Sequence, residues 1–471
     1  MTLRLTSRPG GASASGDPRR GGVEFDRRRP GMLLDLREVV FNLSGVLDFV
    51  GVTDINHGKR VAFLSHAIGQ TLGLNRHHQA RLFEAALLHD AGVSSTREHR
   101  VLVSAYDIPD AYGHCERGHD LLSGCAPLAH LAPLVAGHHS AWFELADGAH
   151  ALDPDQRLSA NIIYLADRVD AMLTGDDLTD PLMRRDEILG VLDRESGDRF
   201  APDVVEAFRA AASRDALWFG LDADALPIEL APMARDGRYT LVSFPVLTEL
   251  ASIFAHIVDA KCRFTATHSV AVGAICARLA ALAGLNEDQQ RKVQIAGLLH
   301  DIGKLRIPDT ILEKSGPLDA AERATMNRHA YYTHQILRQI QGFEDIAEWA
   351  GSHHEALDGS GYPFGKSAPD LPTESRIVAV ADVFQALAQT RPYREAMPMA
   401  RIREILGDMA RARKLDSDLV GLAIDHADTL TACGRGGVCL DQVAMSRRAS
   451  RSRLASTWAA RSSRACSTRA S

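Results

Sequence analysis

A repeated pattern of histidine and aspartate constrains this chain more than any other feature. His57 lies 32 residues before His89, and His268 lies 32 residues before His300; an aspartate follows each second histidine. Further along each copy, a single histidine precedes an adjacent histidine pair by 24 residues, and an aspartate follows that pair by 28 residues. Because the order recurs at matching offsets, the sequence predicts two copies of one domain.

Seven residues of each copy make up the pattern. In the first copy they are His57, His89, Asp90, His114, His138, His139 and Asp167, and in the second copy His268, His300, Asp301, His329, His353, His354 and Asp382. Imidazoles and carboxylates on helices are ligands that Fe, Mn and Zn accept. In the second copy, Asp301 has two oxygens and could therefore bridge two metals. One metal would be held together with His268, His300 and Asp382. The other would be held together with His329, His353 and His354. Two metals about 4 Å apart suit phosphodiester hydrolysis by an activated water.

The pattern of apolar residues predicts an all-α fold of tandem helical domains. Residues 61–74 and 270–285 place apolar side chains at three- and four-residue steps, whereas strand-like alternation is scarce, with 237–244 the best example. The predicted organisation is a disordered tail (1–31), a first domain (32–220), a linker (221–245), a second domain (246–430) and an Arg- and Ser-rich disordered tail (431–471). The last tail is also compatible with a nucleic-acid-binding arm or a frameshifted remnant.

Charge and cysteine content favour a cytoplasmic protein. The net charge of −7 gives no reason to expect nucleic-acid binding, and no apolar run approaches the length of a membrane span or a secretory signal. The seven cysteines show no framework spacing, which predicts reduced thiols. Seven of the histidines outside the pattern are interpreted as structural: His66, His77, His78, His99, His119, His256 and His334.

Residues 268–394 resemble the HD-GYP domain, a branch of the HD superfamily of helical metal phosphohydrolases. The resemblance is carried by HSVAV (268–272), LLHDIGKLRIPDTILEKSGPLDAAE (298–322), HHEALDGSGYPFG (353–365), RIVAVADVFQAL (376–387) and TRPYREA (390–396). It implies an all-α fold, two divalent metal ions (Fe or Mn, with Zn as an alternative) and hydrolysis of cyclic di-GMP to pGpG or GMP.

The resemblance also assigns roles to residues of the second domain. His268, His300, Asp301, His329, His353, His354 and Asp382 become the metal ligands, and Lys304 contacts the scissile phosphate. Gly361, Tyr362 and Pro363 shape the adjacent loop, and Arg391 and Arg394 are candidate clamps for the far phosphate and guanine. Asp301 and Lys304 are therefore the predicted catalytic residues.

Both copies depart from the family pattern. Phe264 stands where some members carry a glutamate that supports a third metal, so two metals are expected, and Thr333 replaces a usual glycine. The first copy has Val93 at the position of Lys304, Ser140 at the position of Glu355, and no GYP. It is interpreted as a second metal site with a different substrate or none, or as a regulatory domain that retains ancestral histidines.

The sequence thus predicts a cyclic di-GMP phosphodiesterase whose active site lies in the second domain. Hydrolysis of another nucleotide phosphoester is an alternative, because the histidine–aspartate pattern alone does not fix the substrate. A non-catalytic cyclic di-GMP sensor, or a module that docks on a cyclase or other signalling partner, is the alternative from another class. The complete ligand set and Lys304 favour the enzyme.

Overall fold

The protein is described here by a computed structural model, which covers residues 31–47, 56–104, 106, 112–147, 152–173, 180–235, 237, 239–261, 267–390 and 395–435. The candidate clamps Arg391 and Arg394 lie outside the described residues. Nearly all of both predicted tails lies outside them as well.

The first half of the chain is helical, as predicted, after one short strand, β1 (Gly31–Leu34). Its helices are α1 (Leu36–Ser44), α2 (His57–Thr71), α3 (Arg76–Leu87), α4 (Thr96–Ser104), α5 (Tyr112–Ser123), α6 (Ala132–Gly137), α7 (Trp142–Ala146), α8 (Pro154–Leu173), α9 (Arg185–Arg194), α10 (Pro202–Ala212), α11 (Asp215–Phe219) and α12 (Leu226–Leu230), with a 3-10 helix at Pro181–Arg184.

The second half begins with strand β2 (Thr240–Ser243) and is otherwise helical. Its helices are α13 (Phe244–Lys261), α14 (His268–Leu282), α15 (Glu287–Leu299), α16 (Asp309–Leu312), α17 (Ala320–Leu337), α18 (Glu344–Gly351), α19 (Thr373–Ala388), α20 (Met399–Arg411), α21 (Ser417–Asp425) and α22 (Ala427–Gly434), with 3-10 helices at Ile302–Arg306 and Ala368–Asp370. The all-α tandem architecture is confirmed. The segment assigned to the linker contains α12 and β2.

A Gly-Leu-Asn sequence makes the same turn in both copies. Gly73 and Gly284 have φ values of +71° and +80°, a left-handed conformation that suits glycine and ends α2 and α14. Two residues later, the side chains of Asn75 and Asn286 accept hydrogen bonds from the first backbone N–H groups of α3 and α15. The turn therefore folds each pair of helices together and places the first two histidines of each copy side by side.

The two copies are joined by a short antiparallel ribbon. Strand β1 pairs with β2, with Met32 opposite Val242. Leu34 is buried, and α1 continues from the ribbon to contact α17 of the second copy. One hydrophobic core runs through both copies. Within the described parts of the chain, every helix is too short or too polar to cross a bilayer.

Candidate metal centres

The seven pattern residues of the second copy come from five different segments. His268 is the first residue of α14, His300 caps the end of α15 with Asp301 directly after it, His329 lies in α17, the pair His353–His354 follows α18, and Asp382 lies in α19. The structure brings all seven together in the interior. His268, His300, Asp301, His329 and His353 are each at most 3 % exposed, so solvent competes little with a bound ion.

Two ligand clusters form around Asp301. The ligand atoms of His268, His300 and Asp382 all lie within 4.8 Å of one another, and those of His329, His353 and His354 do the same. One Asp301 oxygen, Oδ2, is 3.3 Å from His300 Nε2. The other oxygen, Oδ1, is 3.5 Å from His329 Nε2. Asp301 thus offers one oxygen to each cluster, which is the division into two metal positions that the sequence suggested.

Backbone carbonyls fix the protonation of the histidine rings. The Nδ1 atoms of His300, His329 and His353 lie 2.7, 2.6 and 2.6 Å from the carbonyl oxygens of Gly297, Met326 and Ala350, each three residues earlier. A carbonyl oxygen can only accept, so each Nδ1 carries the proton. The Nε2 lone pair of each ring is therefore left to face the centre, the orientation of a metal-ligating histidine.

The buried surroundings and neighbouring charges give the histidines of this centre different pKa values. Burial lowers the pKa of His329 to about 3 and that of His354 to about 4, with neighbouring histidines or Lys304 acting in the same direction, so both are neutral ligands at neutral pH. Burial also lowers the pKa of His300, but the carboxylates of Asp301 and Asp382 outweigh it and raise the value to about 9. His329 and His354 are therefore neutral, whereas the carboxylates around His300 favour a positive charge there, which a bound metal ion can supply in place of a proton.

The donor atoms fit divalent metal ions. Among the described residues, the buried Nε2 of His300 has no hydrogen-bond partner. The Nε2 atoms of His329 and His353 face each other at 3.3 Å although both Nδ1 atoms hold the protons. Two lone pairs directed at each other repel, and a cation between or beside them removes the repulsion. The arrangement therefore suits metal coordination better than a network of hydrogen bonds.

The predicted phosphate and loop residues lie at the edge of the same centre. Lys304 Nζ is 2.5 Å from Asp301 Oδ2, and its side chain is partly exposed. The Tyr362 ring centroid is 4.8 Å from that of His354. Gly361 lies so close to the backbone that a Cβ there would come within 2.3 Å of Ala356 N and 2.4 Å of Glu355 Cα. Gly361 is therefore required by the close approach of the loop to the backbone that directly follows the histidine pair. Pro363 follows Tyr362 through a cis peptide bond.

Two residues outside the predicted site organise it. Glu355 is buried and accepts hydrogen bonds from the backbone N–H groups of Phe364 (2.6 Å) and Lys366 (2.9 Å). Thr333 donates from its hydroxyl to the His300 carbonyl (2.9 Å) and accepts from Gly303 N (3.0 Å). Each had a sequence signal, since Glu355 follows the histidine pair and Thr333 replaces a glycine, but the partners of both lie elsewhere in the chain.

The first copy gathers its seven pattern residues in the same way. The groups His57–His89–Asp167 and His114–His138–His139 each place their ligand atoms within 4.8 Å of one another. Asp90 lies between them, with Oδ2 3.6 Å from His89 Nε2 and Oδ1 3.5 Å from His114 Nε2. The facing Nε2 atoms of His57 and His89, and of His114 and His138, are 3.2 Å apart. These donors fit metal ions by the same reasoning.

The surroundings of the first centre differ from those of the second. Val93 is buried at the position of Lys304, and Arg168 Nη2 lies 2.8 Å from Asp167 Oδ2. His99, interpreted as structural from the sequence, is buried with its ring centroid 6.0 Å from that of His57. Asp170 Oδ2 lies 2.7 Å from His57 Nδ1, within hydrogen-bond distance. The first centre therefore has a buried apolar side chain where the second has its lysine, and it has extra charged neighbours.

Both copies match the HD domain as a sequence family, at residues 54–172 and 252–419. The 3'3'-cGAMP-specific phosphodiesterase 1 of Vibrio cholerae is 35 % identical over 401 residues, which cover 84 % of this chain and 92 % of that protein. A cyclic di-GMP phosphodiesterase of Thermotoga maritima is 38 % identical over 162 residues, or 34 % of this chain and 44 % of that protein.

A solved structure has the same fold over most of the chain. It is the crystal structure of a cyclic GMP-AMP specific phosphodiesterase of V. cholerae, with 24 % identity and a TM-score of 0.57. The similarity covers 85 % of this chain and 98 % of that one. The tandem arrangement of both copies is therefore shared by a known protein.

Proposed function

This chain belongs to the HD-domain family of metal-dependent phosphodiesterases of the HD-GYP type, and from that premise we propose that its second domain hydrolyses a cyclic dinucleotide, with 3'3'-cyclic GMP-AMP as the preferred substrate. The observation that carries the proposal is the match to a 3'3'-cGAMP-specific phosphodiesterase across both domains. The second candidate is cyclic di-GMP, which the GSGYP motif predicts and which shorter matches to cyclic di-GMP phosphodiesterases favour.

The residues of the second domain can divide the work of hydrolysis among them. His268, His300, His329, His353, His354, Asp301 and Asp382 would hold two divalent ions, for which Fe or Mn is proposed and Zn is the alternative. When bound, such ions polarise a phosphoryl oxygen and activate a water. Lys304 adds a positive charge beside Asp301 to stabilise the charge that develops on the phosphate. Tyr362 closes one side of the centre.

We propose that the first domain also holds metal ions but does not hydrolyse the substrate. Its seven donors match those of the second domain in type and grouping. Val93, however, cannot supply the charge that Lys304 supplies, and Arg168 already occupies an oxygen of Asp167. A regulatory or stabilising role for this centre follows. The cytoplasmic location and a cyclase or other signalling partner stay predictions from the sequence.

The proposal is tested by product analysis of the full chain, loaded anaerobically with Fe(II) or aerobically with Mn(II). Incubation with 3'3'-cyclic GMP-AMP and with cyclic di-GMP should give linear dinucleotide or mononucleotide, with the higher kcat/KM for the former. Asp301→Ala should remove turnover and lower the metal content, whereas His119→Ala, which changes a half-buried histidine outside the pattern, should do neither. If the chain carries its full metal content and still hydrolyses neither dinucleotide, the proposed enzymatic function is refuted.

Matched variants separate the two domains. Asp90→Ala removes the carboxylate that lies between the two ligand groups of the first domain. Asp301→Ala removes the equivalent carboxylate of the second domain. If the assignment is right, Asp90→Ala lowers the metal content but leaves product formation measurable. Binding of the dinucleotide without turnover in the wild type would favour the alternative from another class, a sensor or docking module.

A further inference from the structure

A cleft of about 410 Å³ opens beside the second metal centre. It is lined by one face of α17, from Ala324 to Tyr332, together with Tyr362 and Pro363 of the loop at residues 355–366, here called the GSGYP loop. A volume of this size is typical of small-ligand sites. The cleft holds none of the seven pattern residues, so metal binding does not account for it.

The cleft is continuous with the metal centre through shared elements. Asn327 and Arg328 line it and directly precede His329 on α17. Tyr362 lines it as well, and its ring lies 4.8 Å from the ring of His354 and 6.5 Å from that of His329. If a nucleotide places its phosphate at the metal centre, its base can therefore reach the cleft.

Aromatic rings border the cleft and remain accessible. Tyr331 is 44 % exposed, and Phe364 of the GSGYP loop is 37 % exposed; their ring centroids are 6.2 Å apart. Tyr332 also lines the cleft, and its ring centroid is 6.1 Å from that of Tyr331 and 4.4 Å from the Arg306 guanidinium. Exposed rings at the edge of a nucleotide site offer surfaces on which bases can stack, and such stacking has a similar strength for every base. Stacking alone would hold a base without identifying it.

Asn327 adds a group that can identify the base. Asn327 lines the cleft. Its Oδ1 atom is turned away from solvent and has no hydrogen-bond partner among the residues that the structure describes, so the carboxamide must rotate to present this oxygen to a ligand in the cleft. A buried carboxamide oxygen gains from a ligand that donates a hydrogen bond to it. The carboxamide of asparagine matches adenine, accepting from N6 and donating to N7, whereas the corresponding edge of guanine presents two acceptors.

The first domain lacks this chemistry. Counted from the third histidine of each pattern, Tyr331 and Tyr332 correspond to Glu116 and Arg117, and Asn327 corresponds to Tyr112. Arg117 is engaged by Gly92 O and by an ion pair with Glu98. The aromatic cleft therefore accompanies Lys304 and the GSGYP loop, in the domain to which hydrolysis is assigned.

We propose that this cleft is the adenine subsite of the phosphodiesterase, with Asn327 as the residue that selects adenine and Tyr331 as a stacking surface. The inference rests on the proposed function and refines its substrate. Adenine lies in the cleft with N6 donating to Asn327 Oδ1, while one phosphate lies at the metal centre. A substrate with guanine at both positions stacks there but leaves the asparagine without its pair of hydrogen bonds.

The test compares kcat/KM for 3'3'-cyclic GMP-AMP and cyclic di-GMP in the full metal-loaded chain. Asn327→Ala should lower the ratio of the two values about 10- to 100-fold. Tyr331→Ala should lower both values and keep the ratio, since stacking is tolerant of the base. Thr325→Ala is the matched control, because it removes a polar side chain from the same helix outside the cleft. Metal content and thermal midpoint are measured for each variant to confirm an intact centre.

The outcomes separate the subsite from the function on which it rests. A lower ratio for Asn327→Ala, with unchanged metal content, supports the subsite. Equal losses for both substrates, or an unchanged ratio, overturn it and leave the phosphodiesterase intact. Hydrolysis of cyclic di-GMP alone by the wild type also overturns the adenine assignment. Failure of the wild type to hydrolyse either dinucleotide overturns the function and the subsite together.

Discussion

At the scale of single residues, Thr333 ties the metal centre to its supporting helix. Its side chain is fully buried on α17, and its hydroxyl joins His300 O and Gly303 N, on either side of Asp301. Gly303 lies so near α17 that a Cβ would approach His329 O at 2.1 Å. The first copy has Gly118 next to the equivalent Gly92. Thr333 thus adds two hydrogen bonds at a position where the first copy has no side chain.

The hydroxyl of Thr333 can be removed with little change in volume. Thr333→Val leaves the buried N–H of Gly303 and the carbonyl of His300 without this partner, so we expect unfolding free energy to fall by about 1–3 kcal/mol and metal affinity to weaken. Thr333→Ser keeps the hydroxyl and should retain metal affinity. Denaturant titration and metal titration check both; equal metal affinities for Val and Ser would contradict the role of the hydroxyl.

Lys261 provides a pH-dependent contribution to stability. It is buried, donates to Leu305 O at 2.6 Å and lies 3.7 Å from Asp309 Oδ1. Burial lowers its pKa to about 8 from the ordinary 10.5. Between these pH values the unfolded chain retains a proton that the folded chain has released. The contribution of Lys261 therefore rises with pH through this range and is lost as pH falls through 8.

We expect the unfolding free energy of the wild type to rise, relative to that of Lys261→Met, by up to about 3 kcal/mol between about pH 8 and 10. Urea unfolding across this pH range measures the difference. Lys292→Met, which changes a lysine paired with Asp345 on the surface, should show a flat difference. A flat difference for Lys261→Met as well would refute the assignment.

At the scale of elements, the loop from Glu355 to Lys366 depends on one carboxylate. Glu355 accepts from two backbone N–H groups of the loop, and Lys366 Nζ lies 2.5 Å from Glu348 Oε1 of α18. Gly361 lets the loop pass close to the backbone of Glu355 and Ala356, directly after the histidine pair. The loop that presents Tyr362 is thereby held from inside as well as from α18.

Glu355→Ala should free this loop without removing a metal ligand. We expect KM to rise about 10-fold or more, because two unsatisfied N–H groups cost about 1–3 kcal/mol each, while metal content stays near that of the wild type. Hydrogen exchange of residues 360–367 should accelerate. Glu348→Ala, which removes only the outer contact, should have a smaller effect. Unchanged exchange in Glu355→Ala would show that the loop is held by other contacts.

The sequence predicted the secondary-structure elements better than the tertiary contacts of individual side chains. Periodic apolar residues predicted the helices, and matching offsets predicted which histidines and aspartates meet, because the spacing of a ligand set is preserved when a domain is duplicated. The roles of Thr333, Glu355 and Asn327 could not be predicted, since each depends on a backbone or cleft brought near by folding. His99 was interpreted as structural because it lies outside the repeated pattern; its burial beside His57 depends on the packing of α4, which the pattern does not report.

At the scale of the whole molecule, the start of the chain supports both domains. Leu34 of β1 is buried and packs on the second domain, where a Cβ on Gly342 would lie 3.0 Å from Leu34 Cδ2. Asn42 of α1 donates to Gln339 O at 3.4 Å, and Tyr239 OH lies 2.8 Å from Gln341 Oε1. Local sequence patterns could not predict these contacts, because their partners are about 100 to 300 residues apart.

Leu34→Ala should therefore destabilise the second domain although Leu34 belongs to the first. We expect a loss of about 2–5 kcal/mol, as for other buried leucines, with faster hydrogen exchange at the end of α17. Leu33→Ala is the matched control, since Leu33 is the neighbouring strand residue and is 50 % exposed. Calorimetry and hydrogen exchange measure both variants. Equal effects of the two substitutions would show that β1 does not brace the second domain.

The ribbon of β1 and β2 also sets an order of events during synthesis. Met32 emerges from the ribosome early, but its partner Val242 follows only after the first domain has been made. The contacts between α1 and α17 wait longer still, until the chain has passed residue 340. A segment cannot pair before its partner exists, and closing so long a loop costs entropy. The earliest described residues of the chain are thus among the last to reach their final contacts, and a nascent chain must keep the apolar side chains of β1 and α1 from other partners until then.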